Sequence, residues 1–131
     1  MQNIRERSSS WEIYSGLKAR PPLAVRADGR GFKKILEGRK KPYDLDFARS
    51  MVRAVESIFS DSGLAPALAF TFSDEVNLIF LEAPLGGRIE KIDSLTAGYL
   101  SAALSLDLGQ PVSMDCRTIP ICREEIGIYL R

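Results

Sequence analysis

From Ala48 to Phe59, the apolar residues Ala48, Met51, Val52, Val55, Ile58 and Phe59 recur at steps of three and four, which predicts a helix with one buried face. Asp44 suits its N-cap, and Gly63 stands where a left-handed residue can close the last turn. A second stretch, Arg88 to Ser105, predicts a helix burying Ile92, Leu95, Tyr99, Ala102 and Ala103. Strand signals are of another kind. Leu23-Ala24-Val25 leads into Arg26-Ala27-Asp28-Gly29-Arg30-Gly31-Phe32, which reads as a strand halted by a turn at Asp28-Gly29. Ala67 to Phe72 and Val76 to Leu81 are runs of β-formers separated by Ser73-Asp74-Glu75, so they predict a hairpin with an acidic tip. Lys33 to Lys41 is a basic short helix or loop closed by Pro42, and Pro84 to Gly87 is a loop. Pro111 opens an extended segment reaching Ile119, and Arg123 to Arg131 begins a helix.

The order strand, helix, hairpin, helix, strand predicts an α+β fold of the ferredoxin-like kind, an antiparallel sheet with two helices packed on one face. At 131 residues, without repeat or linker, residues 1–131 are expected to form one domain. Apolar residues at 45% and charged residues at 27% exclude disordered and fibrous classes. No apolar run approaches the ~20 residues of a membrane helix. Met1 to Ser10 is polar, with Arg5, Glu6 and Arg7, and is no secretory signal, so a cytoplasmic setting is expected.

Composition narrows the chemistry. The chain has no histidine, which excludes Ser-His-Asp and Cys-His catalysis and imidazole-based zinc sites. Cys116 and Cys122 have neither CxxC spacing nor companion thiols and read as buried free thiols. Carboxylates, Lys, Arg and hydroxyls remain, an inventory suited to magnesium and phosphate. Residues 1–41 carry eleven Lys/Arg against four Asp/Glu, and residues 42–131 carry seven against thirteen. That basic end can face a polyanion, or it can pair with the acidic remainder.

If the first strand lies beside the hairpin, Asp28 and Asp74 meet at one edge of the sheet. Two such carboxylates repel unless cations sit between them, and Mg²⁺ is the natural partner because it takes oxygen ligands and keeps waters and substrate phosphates. Two ions ~3.5–4 Å apart would stabilise the attacking and leaving oxygens of phosphoryl or nucleotidyl transfer. Gly29 can add its carbonyl, since a residue without Cβ lets the backbone approach a metal. Glu75 is the weaker candidate, because a hairpin-tip acid can point to solvent. Singly, each signal has a plain structural reading: Asp-Gly is a common turn pair, Ser-Asp-Glu a polar tip, Arg39-Lys40-Lys41 a solvated face, and Arg88 with Lys91 an exposed helix surface.

In order, however, Val25-Arg26-Ala27-Asp28-Gly29-Arg30-Gly31-Phe32, Lys41-Pro42-Tyr43-Asp44, Phe72-Ser73-Asp74-Glu75 and Arg88-Ile89-Glu90-Lys91 resemble the motifs of the tRNA-His guanylyltransferase family and its relatives. These enzymes add nucleotides to the 5′ end of tRNA in the 3′-to-5′ direction, on a catalytic domain similar to the polymerase palm. The resemblance implies Asp28 and Asp74 as catalytic carboxylates, with Asp28, Gly29 and Asp74 holding two Mg²⁺. It implies Lys41, Ser73, Arg88 and Lys91 at the triphosphate and the tRNA 5′ phosphate. Arg26, Arg30, Gly31, Phe32, Lys33 and Glu75 complete the implied nucleotide-binding set. GTP and ATP are the implied substrates, tRNA the partner, and a dimer or tetramer the assembly.

The chain departs from the family pattern in two places. Lys33 stands where the family has a histidine after Arg-x-Phe, and the chain stops at Tyr129-Leu130-Arg131, where a Trp-Arg-Gln motif would follow. The expectation is an N-terminal part of a longer protein. Two other readings stand beside nucleotidyl transfer: a palm-like nucleotide cyclase, which would release pyrophosphate without tRNA, and a catalytically incomplete module that binds nucleotide or tRNA.

Overall fold

The computed structural model describes residues 10–37 and 45–129. Asp44 as N-cap, the basic run Arg39-Lys40-Lys41 and the phosphate role of Lys41 lie outside them. The described elements run β1 (Leu23–Arg30), α1 (Phe32–Leu36), α2 (Leu45–Asp61), β2 (Leu68–Phe72), β3 (Glu75–Phe80), a 3₁₀ turn (Pro84–Gly87), α3 (Ile89–Leu108), β4 (Ser113–Pro120), a second 3₁₀ turn (Arg123–Glu125) and α4 (Ile126–Tyr129). The four strands form one antiparallel sheet in the order β2-β3-β1-β4. This is the expected ferredoxin-like α+β arrangement.

Strand alternation sorts the sheet into two faces. One carries Leu23, Val25 and Ala27 of β1, Val76, Leu78 and Phe80 of β3, and Met114 of β4, all in one core with Met51 and Ile58 of α2 and Ile92, Leu100 and Leu104 of α3. Each fully buried side chain of this size stabilises the fold by about 1.5–3 kcal/mol relative to exposure. The other face presents Arg26, Asp28, Glu75, Asn77, Asp115 and Arg117. The Arg53 guanidinium of α2 donates to both carboxylate oxygens of Asp107 in α3, at 2.9 and 2.8 Å, and ties the helices together.

Several sequence expectations are corrected. β1 runs on through Asp28-Gly29, because Asp28 is paired with Glu75 on one side and Asp115 on the other. The turn falls at Gly31, whose φ of 68° suits a residue without Cβ. On α2 the buried stripe is Phe47, Met51, Ala54, Val55 and Ile58, while Val52 and Phe59 are exposed. On α3 it is Ile92, Thr96, Leu100 and Leu104, while Leu95 and Ala102 are exposed. Leu, Ala and Tyr fill so much of α3 that several faces look apolar, and packing against the sheet and α2 selects one. Cys122 is exposed and donates its thiol hydrogen to Glu125 at 2.8 Å, against the expected burial. Cys116 is half-buried, and burial, followed by the charges of Asp93 and Asp115, pushes its thiol up to about 12. No helix among the described residues is long and apolar enough to cross a membrane.

Candidate active site

The polar face of the sheet gathers charge at one end. Asp28 lies between Glu75 and Asp115, and Arg26 lies opposite Arg117. Like charges directly opposite destabilise a sheet, so this ladder disfavours the fold unless diagonal partners relieve it. They do: a terminal nitrogen of Arg117 stands 3.7 Å from Asp28 and 3.5 Å from Asp115, and Arg26 Nε stands 3.4 Å from Glu75.

The tip of the hairpin closes on this end. Phe72 pairs with Glu75, leaving Ser73 and Asp74 as the two turn residues. Ser73 takes a φ of 55°, sterically costly for a residue with a side chain. The Gly29 N–H donates to the Asp74 carbonyl at 3.0 Å. A Cβ on Gly29 would stand 2.8 Å from the Phe32 ring and 2.9 Å from a carboxylate oxygen of Asp74, so only glycine leaves that carboxylate room. Burial raises the Asp74 pKa first; a backbone hydrogen bond opposes this, and the charges of Asp28 and Glu75 add to it.

Asp74, crowded by two acids and partly desolvated, has an environment that a cation would relieve. The donor set, carboxylates beside an approachable glycine backbone, is all oxygen and fits Mg²⁺. Among the described residues no three His, Cys, Asp or Glu side chains converge as a ready metal cage. An ion here would complete its shell with water and phosphate oxygens, the usual manner for Mg²⁺.

The other predicted residues divide by location. Arg30, Gly31, Lys33 and Ser73 are exposed near the Asp28 end. Phe32 is 2% exposed and packs edge-on against Phe47 at 5.9 Å between centroids, so its ring belongs to the core and is closed to a nucleobase. Glu75 is half-buried and held by Arg26 and Asn77, instead of pointing to solvent. Arg88 and Lys91 sit elsewhere. The Ala19 N–H donates to the Gly87 carbonyl at 2.8 Å and the Ile89 N–H to the Leu17 carbonyl at 3.0 Å, which anchors the start of α3 near the Leu23 end of β1. Leu23 and Asp28 are five strand residues apart, about 16 Å. There Arg88 and Lys91 line a cleft of ≈ 440 Å³ with Trp11 and Tyr14. Within one chain they are not brought to Asp28 and Asp74.

Against known families, residues 5–122 match the model described as "Thg1: tRNAHis guanylyltransferase". The chain belongs to the tRNAHis guanylyltransferase family. Among solved structures, it is similar to a bacterial tRNA(His) guanylyltransferase (Thg1)-like protein in complex with GTP, with a TM-score of 0.87 and 22% identity over 98% of this chain and 63% of that one. The same kind of bacterial protein in complex with ATP gives a TM-score of 0.86 and 22% identity, over 98% and 62%. The tRNA(His) guanylyltransferase of Saccharomyces cerevisiae gives 0.81 and 18%, over 94% and 61%. The chain thus spans less than two thirds of the length of each. Among curated proteins none matches the sequence significantly.

Beside Asp28 and Asp74, the charged face holds residues that the sequence motifs did not reveal. Asn77, Asp115, Arg117 and Tyr129 all belong to the charged face. Asn77 had a signal, a polar residue inside Val76-Asn77-Leu78-Ile79-Phe80. Tyr129 had none, since nothing local places a C-terminal tyrosine on the sheet.

Proposed function

We propose that this chain is the N-terminal, catalytic palm part of a Mg²⁺-dependent nucleotidyltransferase that adds a guanosine nucleotide to the 5′ end of tRNA. The reading includes a cytoplasmic setting and assembly as a dimer or tetramer. The observation that carries it is Asp74 seated against Gly29 and within the field of Asp28, in a chain of this family.

Asp28 and Asp74, with the Gly29 carbonyl, are the groups that would hold two Mg²⁺. Bound there, the ions would supply charge stabilisation to the attacking and leaving oxygens. This chain's residues then bind and orient. Ser73, exposed at the turn beside Asp74, offers a hydroxyl to the triphosphate, and Arg30 and Lys33 offer positive charge at the same end. Phosphoryl transfer is accelerated mainly by such positioned cations and donors.

Two displacements make up the reaction. An oxygen of the tRNA 5′ phosphate attacks the α-phosphorus of ATP or GTP, and pyrophosphate leaves. The 3′-hydroxyl of GTP then attacks the activated tRNA phosphorus, loses its proton, and the nucleoside monophosphate leaves. A 5′-triphosphorylated tRNA needs the second displacement alone and releases pyrophosphate. Lys41 is assigned to the triphosphate. Arg88 and Lys91 are assigned to tRNA phosphates further from the reacting end.

The test is to incubate the protein with Mg²⁺, labelled GTP and 5′-triphosphorylated tRNA. Label at the tRNA 5′ end that disappears in Asp28→Ala and Asp74→Ala supports the reading. Pyrophosphate release without tRNA would indicate a nucleotide cyclase instead, and Mg²⁺-dependent GTP binding without transfer would indicate a binding module.

A further inference from the structure

Trp11 and Tyr14 are 71% and 58% exposed, although tryptophan is highly buried on average. Both line the cleft of ≈ 440 Å³ that Arg88 and Lys91 bound from the start of α3. Backbone contacts build this cleft. The Ala19 N–H and the Gly87 carbonyl, and the Ile89 N–H and the Leu17 carbonyl, fasten the two segments, with Lys18 bridged to Arg88 between them. Gly87 permits the approach, because a Cβ there would stand 2.5 Å from the Ala19 carbonyl oxygen. Upstream, tight turns follow one another: the Ile13, Ser15 and Leu17 N–H groups donate to the Trp11, Glu12 and Tyr14 carbonyls at 2.9, 3.1 and 3.1 Å. The two rings thus ride on a hydrogen-bonded arm tied to α3, which lowers the ordering cost of binding.

Glu12 and Glu90 line the same cleft. Among the described residues, neither forms an ion pair with Arg88 or Lys91, so both cations are available to an incoming anion. Arg88 makes one long contact, from Nε to the Leu85 carbonyl at 3.4 Å. A ligand that suits this cleft needs anionic groups for Arg88 and Lys91 and a flat face for the rings. The two carboxylates disfavour a ligand that is anionic throughout, and they accept hydrogen bonds from amino groups. Unpaired nucleotides carry all of these: phosphates, a π-face on every base and exocyclic amino groups.

We infer that this cleft takes an unpaired nucleotide of the RNA substrate, its base stacked on the Trp11 and Tyr14 rings and its phosphates held by Arg88 and Lys91. The inference rests on the tRNA reading proposed above and adds a base contact to the phosphate contacts assigned there. The occupant is a stretch of strand and not the reacting nucleotide, because the cleft lies about 16 Å along β1 from Asp28, a span of about five stacked nucleotides. A platform of rings accepts every base, so the contact selects for an unpaired strand and not for a sequence. Bases within a helix are stacked on one another and are closed to such rings.

Trp11 is the chain's one tryptophan, so its intrinsic fluorescence reports this cleft directly. The experiment titrates hexaadenylate into the wild type, Tyr14→Leu and the double variant Arg88→Ala with Lys91→Ala, and reads Trp11 emission. An abasic ribose-phosphate hexamer is the control. The expected result is quenching by hexaadenylate and none by the abasic strand, with affinity weakened about 10-fold in Tyr14→Leu and in the double variant. Trp11→Leu and Trp11→Phe are followed by anisotropy of a labelled hexaadenylate: Leu should lose about 10-fold, and Phe, which keeps a ring, should lose less. Equal affinity for the two hexamers, or binding that leaves Trp11 emission unchanged, overturns the inference. Anisotropy of labelled intact tRNA separates it from the reading it rests on. Binding of tRNA with no change in Trp11 emission overturns the base contact alone, and a wild-type protein that binds no tRNA overturns the tRNA reading and this inference with it.

Discussion

Gly29 and Asp74 are fitted to each other: the Gly29 N–H donates to the Asp74 carbonyl at 3.0 Å, and a Gly29 Cβ would come within 2.9 Å of the Asp74 carboxylate. The same Cβ would meet the Phe32 ring at 2.8 Å, and that ring is locked in the core. Gly29→Ala is therefore expected to destabilise the fold by about 1–3 kcal/mol, the usual range for overpacking, and to displace the carboxylate. Urea unfolding, read beside Mn²⁺ affinity, checks both effects. Wild-type values for both would show that the contact is not tight.

Asp74 gives a pH signature of unusual sign. Its folded pKa is raised, chiefly by burial, so its contribution to stability is present below the unfolded value and lost as pH rises through the folded one. At neutral pH the cation-free protein carries this ionised acid at a disadvantage. Asp74→Asn should raise the Tm at pH 7 without divalent ions by about 1–3 °C, and should abolish stabilisation by Mg²⁺. A lower Tm in the variant would contradict the crowding of acids described here.

Asp107 behaves in the opposite way. Hydrogen bonds from Arg53, first, and Ser50 hold its carboxyl below the ordinary value. Its contribution is present above the unfolded pKa and is lost as pH falls through the folded one. Acid titration of stability should show a shallower loss in Asp107→Asn than in the wild type. Parallel acid limbs would mean that the Arg53 pair adds nothing, a common outcome for exposed ion pairs.

Ser73 holds a positive φ of 55° at the turn. Glycine removes the strain of about 1–2 kcal/mol but loses more chain entropy on folding. The net expectation for Ser73→Gly is a gain of about 0.5–1 kcal/mol in stability with weaker GTP binding, because the hydroxyl beside Asp74 is gone. Thermal unfolding and a GTP titration on one sample separate the two. Unchanged GTP affinity would remove Ser73 from the triphosphate site.

The sequence carried the architecture because periodicity and punctuation agreed. Helical spacing, the Ser73-Asp74 turn and the β-rich runs around it sufficed for element order. They did not suffice for the faces of the helices: Leu95 and Phe59 are as apolar as Ile92 and Ile58, and tertiary packing chose between them. Asp28-Gly29 looked like a turn because local propensity favours one there, but pairing on both sides keeps it extended. The separation of Arg88 and Lys91 from Asp28 was not legible either, since it depends on which end of β1 receives the start of α3. Tyr129 reaches Asn77 across the sheet, a contact that sequence spacing does not encode.

The central claim is that Asp28 and Asp74 build a cation site through which this chain holds a nucleotide. Calorimetric titration of GTP into the wild type and Asp28→Ala, each with and without Mg²⁺, tests it most directly. The account predicts Mg²⁺-dependent GTP binding in the wild type, weakened at least about 10-fold in Asp28→Ala. GTP binding of equal strength with and without Mg²⁺, or unchanged in Asp28→Ala, would contradict it.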